Sequence, residues 1–210
     1  MIKVRSAAAS DADACAAVLA DAFLDDPGAI VFEPDRARRR IILPPFFRTF
    51  VTAAIAEAAD LVVPVQEVTG VASWFGPERH APSEAAMDAA GFAQVIDLFG
   101  PEAAGRMGGM VAEIDAQHAS LIQVPHLRLE FFGVDPDAQG QGVGSALITH
   151  GHAHADARGL PCYLETFTKR NVAYYERRGY QVIGTYLVGD EVPVYAMRRD
   201  PSGSDDPRSA

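Results

Sequence analysis

The chain has 210 residues, a length that suits one domain with a sizeable buried core. Its 28 acidic and 18 basic residues give a formal net charge of −10, which argues against sequence-independent nucleic-acid binding because that requires clustered Lys and Arg. The charge leaves cationic substrates open, although a surplus of carboxylates is also ordinary in a cytoplasmic protein.

Two cysteines, Cys15 and Cys162, are too few for a disulfide scaffold and lie in no CxxC or Cys/His ligand pattern. Residues 1–10 contain no apolar segment of the kind found in signal peptides, and no later stretch reaches the length of a membrane span. These features predict a soluble, cytoplasmic protein that does not associate with membranes.

The first half of the chain predicts a strand, several helices and a hairpin. Ser10, with Asp13 three residues later, resembles a capping box at the start of the first helix. Pro44 and Pro45 are expected to interrupt or kink the second helix, and Pro64 favours an edge position for the first hairpin strand. In chain order, the predicted elements are a strand at 2–5, helices at 11–24 and 35–58, strands at 60–66 and 69–75, and helices at 83–99 and 102–119 that form a lid or flank.

From residue 127 the pattern changes to that of a βαβ unit. A strand at 127–134, a glycine-rich turn at 135–140, a helix at 141–157 and a strand at 161–167 follow one another. This order of elements predicts an α/β fold.

The end of the chain predicts a short helix, two strands and a tail. The helix is expected at 171–178 and the strands at 180–188 and 192–198. The tail at 200–210 is rich in Ser, Pro, Gly and Asp, which cannot bury apolar area, so we expect it to be disordered. A single domain is therefore predicted over residues 1–199.

Closely spaced glycines occupy the run from Gly133 to Ser145, between a predicted strand and a predicted helix. Glycine lets the backbone approach a ligand, and the first turn of a helix offers unpaired N–H groups and a positive dipole end. The loop therefore predicts an anion site that suits a pyrophosphate. A tight turn that needs positive φ is the alternative interpretation. A dinucleotide-binding fingerprint, with Glu165 as the ribose ligand, is disfavoured because fewer than 70 residues follow it.

Two motifs resemble those of the GNAT superfamily of N-acetyltransferases. The first is Q-x-x-G-x-G at residues 139–144, preceded by V-x-P at 134–136. The second is N-V-A-Y-Y-E-R-R-G-Y at 171–180, which is similar to the family's Asn…Tyr-Glu-x-x-Gly-Phe element and, with its surroundings, to the puromycin N-acetyltransferase branch. In one departure from the family spacing, Asn171 lies four residues before Tyr175 instead of seven.

The resemblance implies a mixed, mostly antiparallel sheet flanked by helices and splayed at the strand that carries Val134. It also implies acetyl-CoA as the cosubstrate, with pantetheine and the thioester carbonyl on backbone N–H groups of that strand and the pyrophosphate on the amides of 140–145. The implied cofactor-binding residues are Phe132, Gly133, Val134, Gln139, Gly140, Gln141, Gly142, Val143, Gly144, Ser145 and Asn171.

Acetyl transfer to an amine needs a neutral amine, a site for the oxyanion and a proton for the departing thiolate. Tyr175 matches the family's proton donor, since a phenol with a pKa of about 10 is protonated at neutral pH; a core role is its alternative, and Tyr174 is assigned to the core. Glu165 matches a strand position that is the general base in some members. Glu130 on the neighbouring strand is the second candidate, and either carboxylate could instead hold a cationic substrate.

The sequence predicts no metal site. His150 and His154 share a helical face but have no third ligand at a readable spacing, and His118 and His126 have no assigned role. The predicted acceptor is a primary amine of a small molecule, and homodimer formation stays open. The alternatives are a peptide or protein N-acetyltransferase, which the inserted helices disfavour, and a non-catalytic CoA-binding sensor, which Tyr175 disfavours.

Overall fold

A computed structural model describes residues 2–189 and 191–203. The predicted disordered tail lies outside the described residues from residue 204 onward, as does Asp190 between the last two strands. The elements are β1 (Val4–Ser6), α1 (Ala12–Phe23), α2 (Pro27–Phe32), α3 (Arg36–Ala56), β2 (Asp60–Pro64), β3 (Gly70–Phe75), α4 (Glu84–Ala89), α5 (Phe92–Leu121), β4 (Leu127–Val134), α6 (Val143–Arg158), β5 (Cys162–Thr166), α7 (Lys169–Glu176), β6 (Gln181–Val188) and β7 (Val192–Arg199).

Seven strands of the described chain form one sheet in the order β1-β2-β3-β4-β5-β7-β6. All neighbours are antiparallel except β4 and β5, which are parallel and joined by α6. The predicted α/β domain with a mixed, mostly antiparallel sheet is confirmed. The edge position predicted from Pro64 is wrong, because β2 lies between β1 and β3. Pro64 is the last residue of β2, and Val65 after it donates its N–H to Lys3 O, so pairing continues past the proline.

Helices cover both faces of the sheet. Leu61 and Val63 of β2 face the layer formed with α1, α3 and α5, whereas Val62 faces the layer beneath α6 and α7. The whole of β3 is buried, which explains its apolar sequence without alternation. Among the described helices, none is both long and apolar enough to cross a bilayer.

The helix α3 continues through Pro44 and Pro45, so the chain is not interrupted there as the sequence suggested. Each proline lacks an N–H and frees the carbonyl four residues earlier, at Arg40 and Ile41. Both residues are exposed, so water can bind those carbonyls. The opposite face of the helix packs into the core through Ile42, Leu43, Phe47 and Phe50. Burial of this face outweighs the lost hydrogen bonds.

The segment between β3 and β4 forms α4 and α5, and the helices separate at a different glycine from the predicted one. Gly91 divides them with a φ of 95°. At Gly100, where the break was predicted, α5 has a single non-helical residue with φ 75° and ψ 165°. Only glycine adopts both conformations readily. The helix α5 then packs against α2, α3 and β6 and flanks one face of the sheet.

Candidate active site

A cleft opens where β4 and β5 diverge. Residues 127–129 of β4 pair with residues 162–164 of β5, but β4 continues to Val134 paired only with β3. Because backbone polar groups alternate along a strand, those of residues 131–134 that do not bond to β3 face the cleft. The predicted pantetheine-binding residues Phe132, Gly133 and Val134 therefore lie along one wall of it.

A bulge in β4 precedes the divergence. Leu129 lies opposite Trp74 of β3 and Phe131 lies opposite Ser73, so Glu130 is the extra residue. The bulge reverses the alternation of the strand: Leu129 packs beneath α6, whereas Phe131 packs beneath α1 and α3. Glu130 is therefore placed at the point where the cleft begins.

The glycine-rich loop leads from the end of β4 into α6. Gly140 and Gly142 have φ values of 75° and 90°, and Gly142 is the N-cap of the helix. A Cβ added at either glycine would meet no heavy atom within 4 Å. The space beside these two glycines is therefore open, and the binding of an anion at the amides of residues 143–145 stays a prediction.

Two glutamine side chains hold this loop in shape. Gln139 donates through Nε2 to Val134 O at 3.3 Å, and Gln141 donates through Nε2 to Asp137 O at 2.8 Å. Both amide groups bond within the loop itself. Their observed contribution is to its conformation, and their predicted contact with CoA stays a prediction.

Arg178 lies beside the first turn of α6 and was not recognised from the sequence. Its Nη2 donates to Ser145 Oγ at 2.8 Å, and its guanidinium stacks on the Tyr174 ring at 3.5 Å from the centroid. A positive charge at a helix N-terminus strengthens anion binding there. The hydroxyl of Tyr174 is buried, and a Cβ added at Gly144 would lie 2.9 Å from it.

Tyr175 lies on α7, buried between aromatic rings. Its ring centroid is 6.5 Å from Phe132 on the cleft wall, 5.3 Å from Tyr174 and 5.6 Å from Tyr180. Burial raises the pKa of the Tyr175 phenol far above its ordinary value, and the charge of Asp26 contributes. The phenol therefore keeps its proton at any physiological pH.

Asp26 is a carboxylate near Tyr175 that the sequence did not reveal as a site residue. It is the N-cap of α2, where its Oδ1 accepts a hydrogen bond from Gly28 N at 2.8 Å. Burial raises the pKa of Asp26 to about 6, against the opposing effect of this bond. The Asp26-Pro27 pair signals a helix start. Its proximity to Tyr175 arises from tertiary packing alone.

Arg128 brings together the two carboxylates predicted as candidate bases. Its Nε lies 2.9 Å from Glu130 Oε2 and its Nη2 donates to Glu165 Oε2 at 3.3 Å, while Asp115 of α5 lies 3.7 Å from Nη1. Tyr163 donates through its hydroxyl to Glu165 Oε1 at 2.6 Å. These five residues form the Arg128 cluster. A buried Arg on a central strand was not predicted.

Burial dominates the protonation of both glutamates in the Arg128 cluster. It raises the pKa of Glu165 to about 7, although Arg128 and Tyr163 favour the ionised form. It also raises the pKa of Glu130, again against Arg128. Glu165 is therefore divided between its two forms near neutral pH, which suits a group that accepts and releases a proton.

Asn171, the predicted CoA ligand whose spacing to Tyr175 departs from the family pattern, lies in the first turn of α7. Its Nδ2 donates to Thr166 Oγ1 at 3.1 Å and ties this helix to the end of β5. The structure thus shows a positioning contact for Asn171, and its role with CoA stays a prediction.

A cavity of about 700 Å³ adjoins the glycine-rich loop on its outer side. Its lining includes Lys3, Thr69, Gln141 and Val143, but neither Tyr175 nor the glutamates of the Arg128 cluster. The cavity therefore borders the loop without reaching Tyr175 or these glutamates.

Part of the chain matches a known family, and nearly the whole chain resembles a solved structure. The family model described as acetyltransferase (GNAT) domain matches residues 100–182. A crystal structure described as histone acetyltransferase HPA2 and related acetyltransferase, from Corynebacterium glutamicum, is 26% identical, covers 96% of this chain and 98% of its own, and superposes with a TM-score of 0.70. Residues 100–182, which include both motifs, thus match the GNAT superfamily. The family predicted from the two motifs is confirmed.

Curated relatives of this chain match it to different extents. An uncharacterised N-acetyltransferase of Schizosaccharomyces pombe is 27% identical over 92% of this chain and 81% of its own length. The mycothiol acetyltransferase of Streptomyces avermitilis is 44% identical over 59 residues, which are 27% of this chain. That match spans only about a fifth (19%) of the length of the mycothiol enzyme.

Proposed function

We propose that this protein transfers the acetyl group of acetyl-CoA to a primary amine of a small molecule. One observation carries the proposal: the cleft between β4 and β5 has an open glycine-rich loop at one end and the buried phenol of Tyr175 beside its wall. A thioester cosubstrate with a pyrophosphate fits this combination of groups.

The residues at the cleft suit acetyl-CoA. The amides of 143–145 would hold the pyrophosphate, with added positive charge from Arg178. Backbone groups of Phe132 and Val134 would hold the pantetheine and the thioester carbonyl, an arrangement that stabilises an oxyanion. Acetyl-CoA supplies an activated acetyl group, and the chain supplies its orientation and the proton transfers.

Tyr175 is the proposed proton donor to the departing thiolate, since its raised pKa keeps the phenol neutral. Glu165, with a pKa of about 7, is the proposed base that takes a proton from the acceptor amine, directly or through water. Both Glu165 oxygens already accept hydrogen bonds, from Tyr163 and Arg128. Glu130 at the bulge is the second candidate, because it lies nearer to the start of the cleft.

The charges near the cleft favour a cationic acceptor. The charge of Asp26 on α2 acts on Tyr175, and Glu130 and Glu165 belong to the Arg128 cluster. The helix α5 covers this cluster through Asp115, which favours a small molecule over a long peptide.

The test is an acceptor screen that measures thiol release from acetyl-CoA and identifies the product by mass spectrometry. Agmatine and polyamines, named as substrates or products for two proteins of the same fold, belong in the panel with arylalkylamines and peptides that have a free N-terminus. We expect an N-acetylated small amine. Turnover with peptides alone would favour the protein acetyltransferase, and acetyl-CoA binding without any turnover would favour the sensor.

A further inference from the structure

Three histidines from separate segments meet beside the Arg128 cluster. His80 lies in the loop after β3, His118 in the last turn of α5, and His126 just before β4. One ring nitrogen of each lies within 4.8 Å of the others. The proposed acetyl transfer uses none of these three side chains.

The hydrogen bonds of His126 determine which of its nitrogens faces the other two rings. Its Nδ1 lies 2.7 Å from Val124 O, so Nδ1 carries the proton and Nε2 has a free lone pair. That Nε2 lies 2.8 Å from Nε2 of His118. A backbone carbonyl that fixes the tautomer in this way is the usual outer partner of a metal-binding histidine.

The other two rings are also prepared to act as ligands. Nδ1 of His80 is buried without a hydrogen-bond partner in the described structure, and the His80 ring stacks on His126 at 4.6 Å. Burial, with help from Arg128 and the other imidazoles, lowers the pKa of His80 to about 4 and that of His118 to about 3. Neutral imidazoles bind metals without first losing a proton to solvent.

We propose that His80, His118 and His126 bind a divalent transition metal ion of the zinc type. Three imidazoles suit Zn²⁺, Co²⁺ or Cu²⁺, and no carboxylate of the kind preferred by Mg²⁺ or Ca²⁺ is needed. Ligands about 2.1 Å from a tetrahedral ion are about 3.4 Å apart. The pair at 2.8 Å must therefore widen and His80 must move inward, which its position in a loop allows.

Nearby charges determine whether a cation is tolerated there. Arg128 opposes it, because its positive charge acts on all three rings. Three carboxylates surround that guanidinium, those of Glu130, Glu165 and Asp115. Their combined charge offsets that of Arg128. The ion takes the place of the hydrogen bond between His118 and His126. His118 then carries its proton on Nδ1, so both imidazoles stay neutral and the added charge is that of the ion.

The ion has a structural role in this arrangement. It joins the loop after β3, the end of α5 and the start of β4. The His118 ring stacks on Tyr163 at 4.7 Å, and Tyr163 donates its hydroxyl to Glu165. Metal binding thus holds α5 over the Arg128 cluster. This proposal departs from the sequence analysis, which predicted no metal site in the chain; His150 and His154, considered there, contact Asp60.

The experiment uses the untagged full chain, stripped with a chelator and titrated with Co²⁺ and then Zn²⁺. We expect one Co²⁺ per chain with the visible absorption of a four-coordinate ion, its displacement by Zn²⁺, and a higher Tm with Zn²⁺. Loss of an outer-shell partner typically weakens metal binding by roughly 10- to 100-fold. His80→Ala and His126→Gln each remove a direct ligand, so each should weaken binding by at least that much.

His150→Ala combined with His154→Ala is the matched control and should bind as the wild type does. If circular dichroism shows that His126→Gln does not fold, the result for His80→Ala tests the site. His80 is half-buried in a loop, so we expect its replacement to leave the fold intact. Absence of saturable binding in the wild type would overturn the site and leave a hydrogen-bonded histidine cluster. Binding that persists in His80→Ala, or is lost in the α6 control, would overturn it as well.

Discussion

Tyr175 and Glu165 differ in how firmly they hold their protons, and burial is the main cause for both. The phenol pKa moves away from neutrality, whereas the carboxyl pKa moves to about 7. A donor that never ionises and an acceptor that titrates near neutral pH are the two groups that amine acetylation requires.

Replacement of Tyr175 by Phe should lower kcat by roughly 100-fold or more, with little change in the KM for acetyl-CoA. The ring fills the same space among its aromatic neighbours, so only the hydroxyl proton is lost. Steady-state kinetics with a saturating amine measures the effect. Tyr174→Phe is the matched control on the same helix, and full activity in Tyr175→Phe would remove Tyr175 from the mechanism.

The pH profile of kcat/KM should have an acidic limb near pH 7 that belongs to Glu165. Ionised Glu165 accepts the proton, so activity falls as the pH drops through its raised pKa. Glu165→Gln should abolish this limb and lower kcat, because the amide cannot accept the proton.

Glu130→Gln is the control for this assignment. If Glu165 only attracts a cationic acceptor, Glu165→Gln should raise the acceptor KM with kcat nearly intact. A wild-type profile in Glu165→Gln, with the limb lost in Glu130→Gln, would transfer the role of base to Glu130.

Sequence motifs identified Tyr175 and the glycine loop because these residues lie close together in the chain. Asp26 and Arg128 could not be identified in this way. Asp26 is far from Tyr175 in the chain, and packing of α2 brings them together. The bulge at Glu130 cannot be predicted from the apolar pattern of β4, although it determines the layer in which Phe131 packs.

At the scale of elements, α6 begins and ends at glycines in the left-handed region. Gly142 is its N-cap with φ 90° and Gly159 its C-cap with φ 63°, and a Cβ at either would meet nothing within 4 Å. Both glycines therefore make the same kind of contribution to the ends of α6, a residue that adopts the left-handed conformation. Only Gly142 adjoins the proposed pyrophosphate site.

Gly142→Ala and Gly159→Ala should each lower the free energy of unfolding by about 1–2 kcal/mol, the cost of a Cβ in the left-handed region. Only Gly142→Ala should weaken acetyl-CoA binding, by about 10- to 100-fold if one hydrogen bond to the pyrophosphate is lost. Calorimetry and denaturant titration measure the two effects. Equal affinity in the two variants would argue against this loop as the cofactor site.

The helix α6 also approaches the sheet closely at Gly151. A Cβ there would lie 2.1 Å from the buried indole of Trp74, which has no space to move. Gly151→Ala should therefore lower the free energy of unfolding by about 1–3 kcal/mol despite the better helix propensity of Ala.

Gly108→Ala in α5 is the matched control for Gly151→Ala. Gly108 is an exposed helical glycine whose added Cβ would meet nothing within 4 Å, so this change should stabilise by about 0.5–1 kcal/mol. Urea denaturation compares them, and effects of the same sign would contradict the packing argument.

The patterns of β4, α6 and β5 predicted those elements well because a strand, a glycine turn and an amphipathic helix follow one another there. Predictions from local sequence preferences were wrong where tertiary packing determined the structure. Pro44 and Pro45 lie on the solvent side of α3, so the core on its other face keeps the helix intact. Pro64 ends a strand, where a missing N–H has little effect on pairing.

At the scale of the whole molecule, the acidic balance of the chain extends to the site. The chain carries a formal net charge of −10. Glu130 and Glu165 lie beside the buried Arg128, and the charge of Asp26 acts on Tyr175. Arg178 is a local exception: it lies beside the start of α6, where the cosubstrate's phosphates are proposed to bind. The two ends of the cleft thus suit substrates of opposite charge.

Ionic strength should therefore affect the two substrates differently. The Debye length falls from about 30 Å at 0.01 M salt to about 8 Å at 0.15 M, which screens the attraction of an acidic protein for a cation. We expect the KM of a polyamine to rise several-fold over this range and that of acetyl-CoA to stay constant or fall. A monoamine with one charge is the control and should respond less than a polyamine. If the KM values of the polyamine and the monoamine rose equally, the carboxylates near the cleft would have no part in attracting the acceptor.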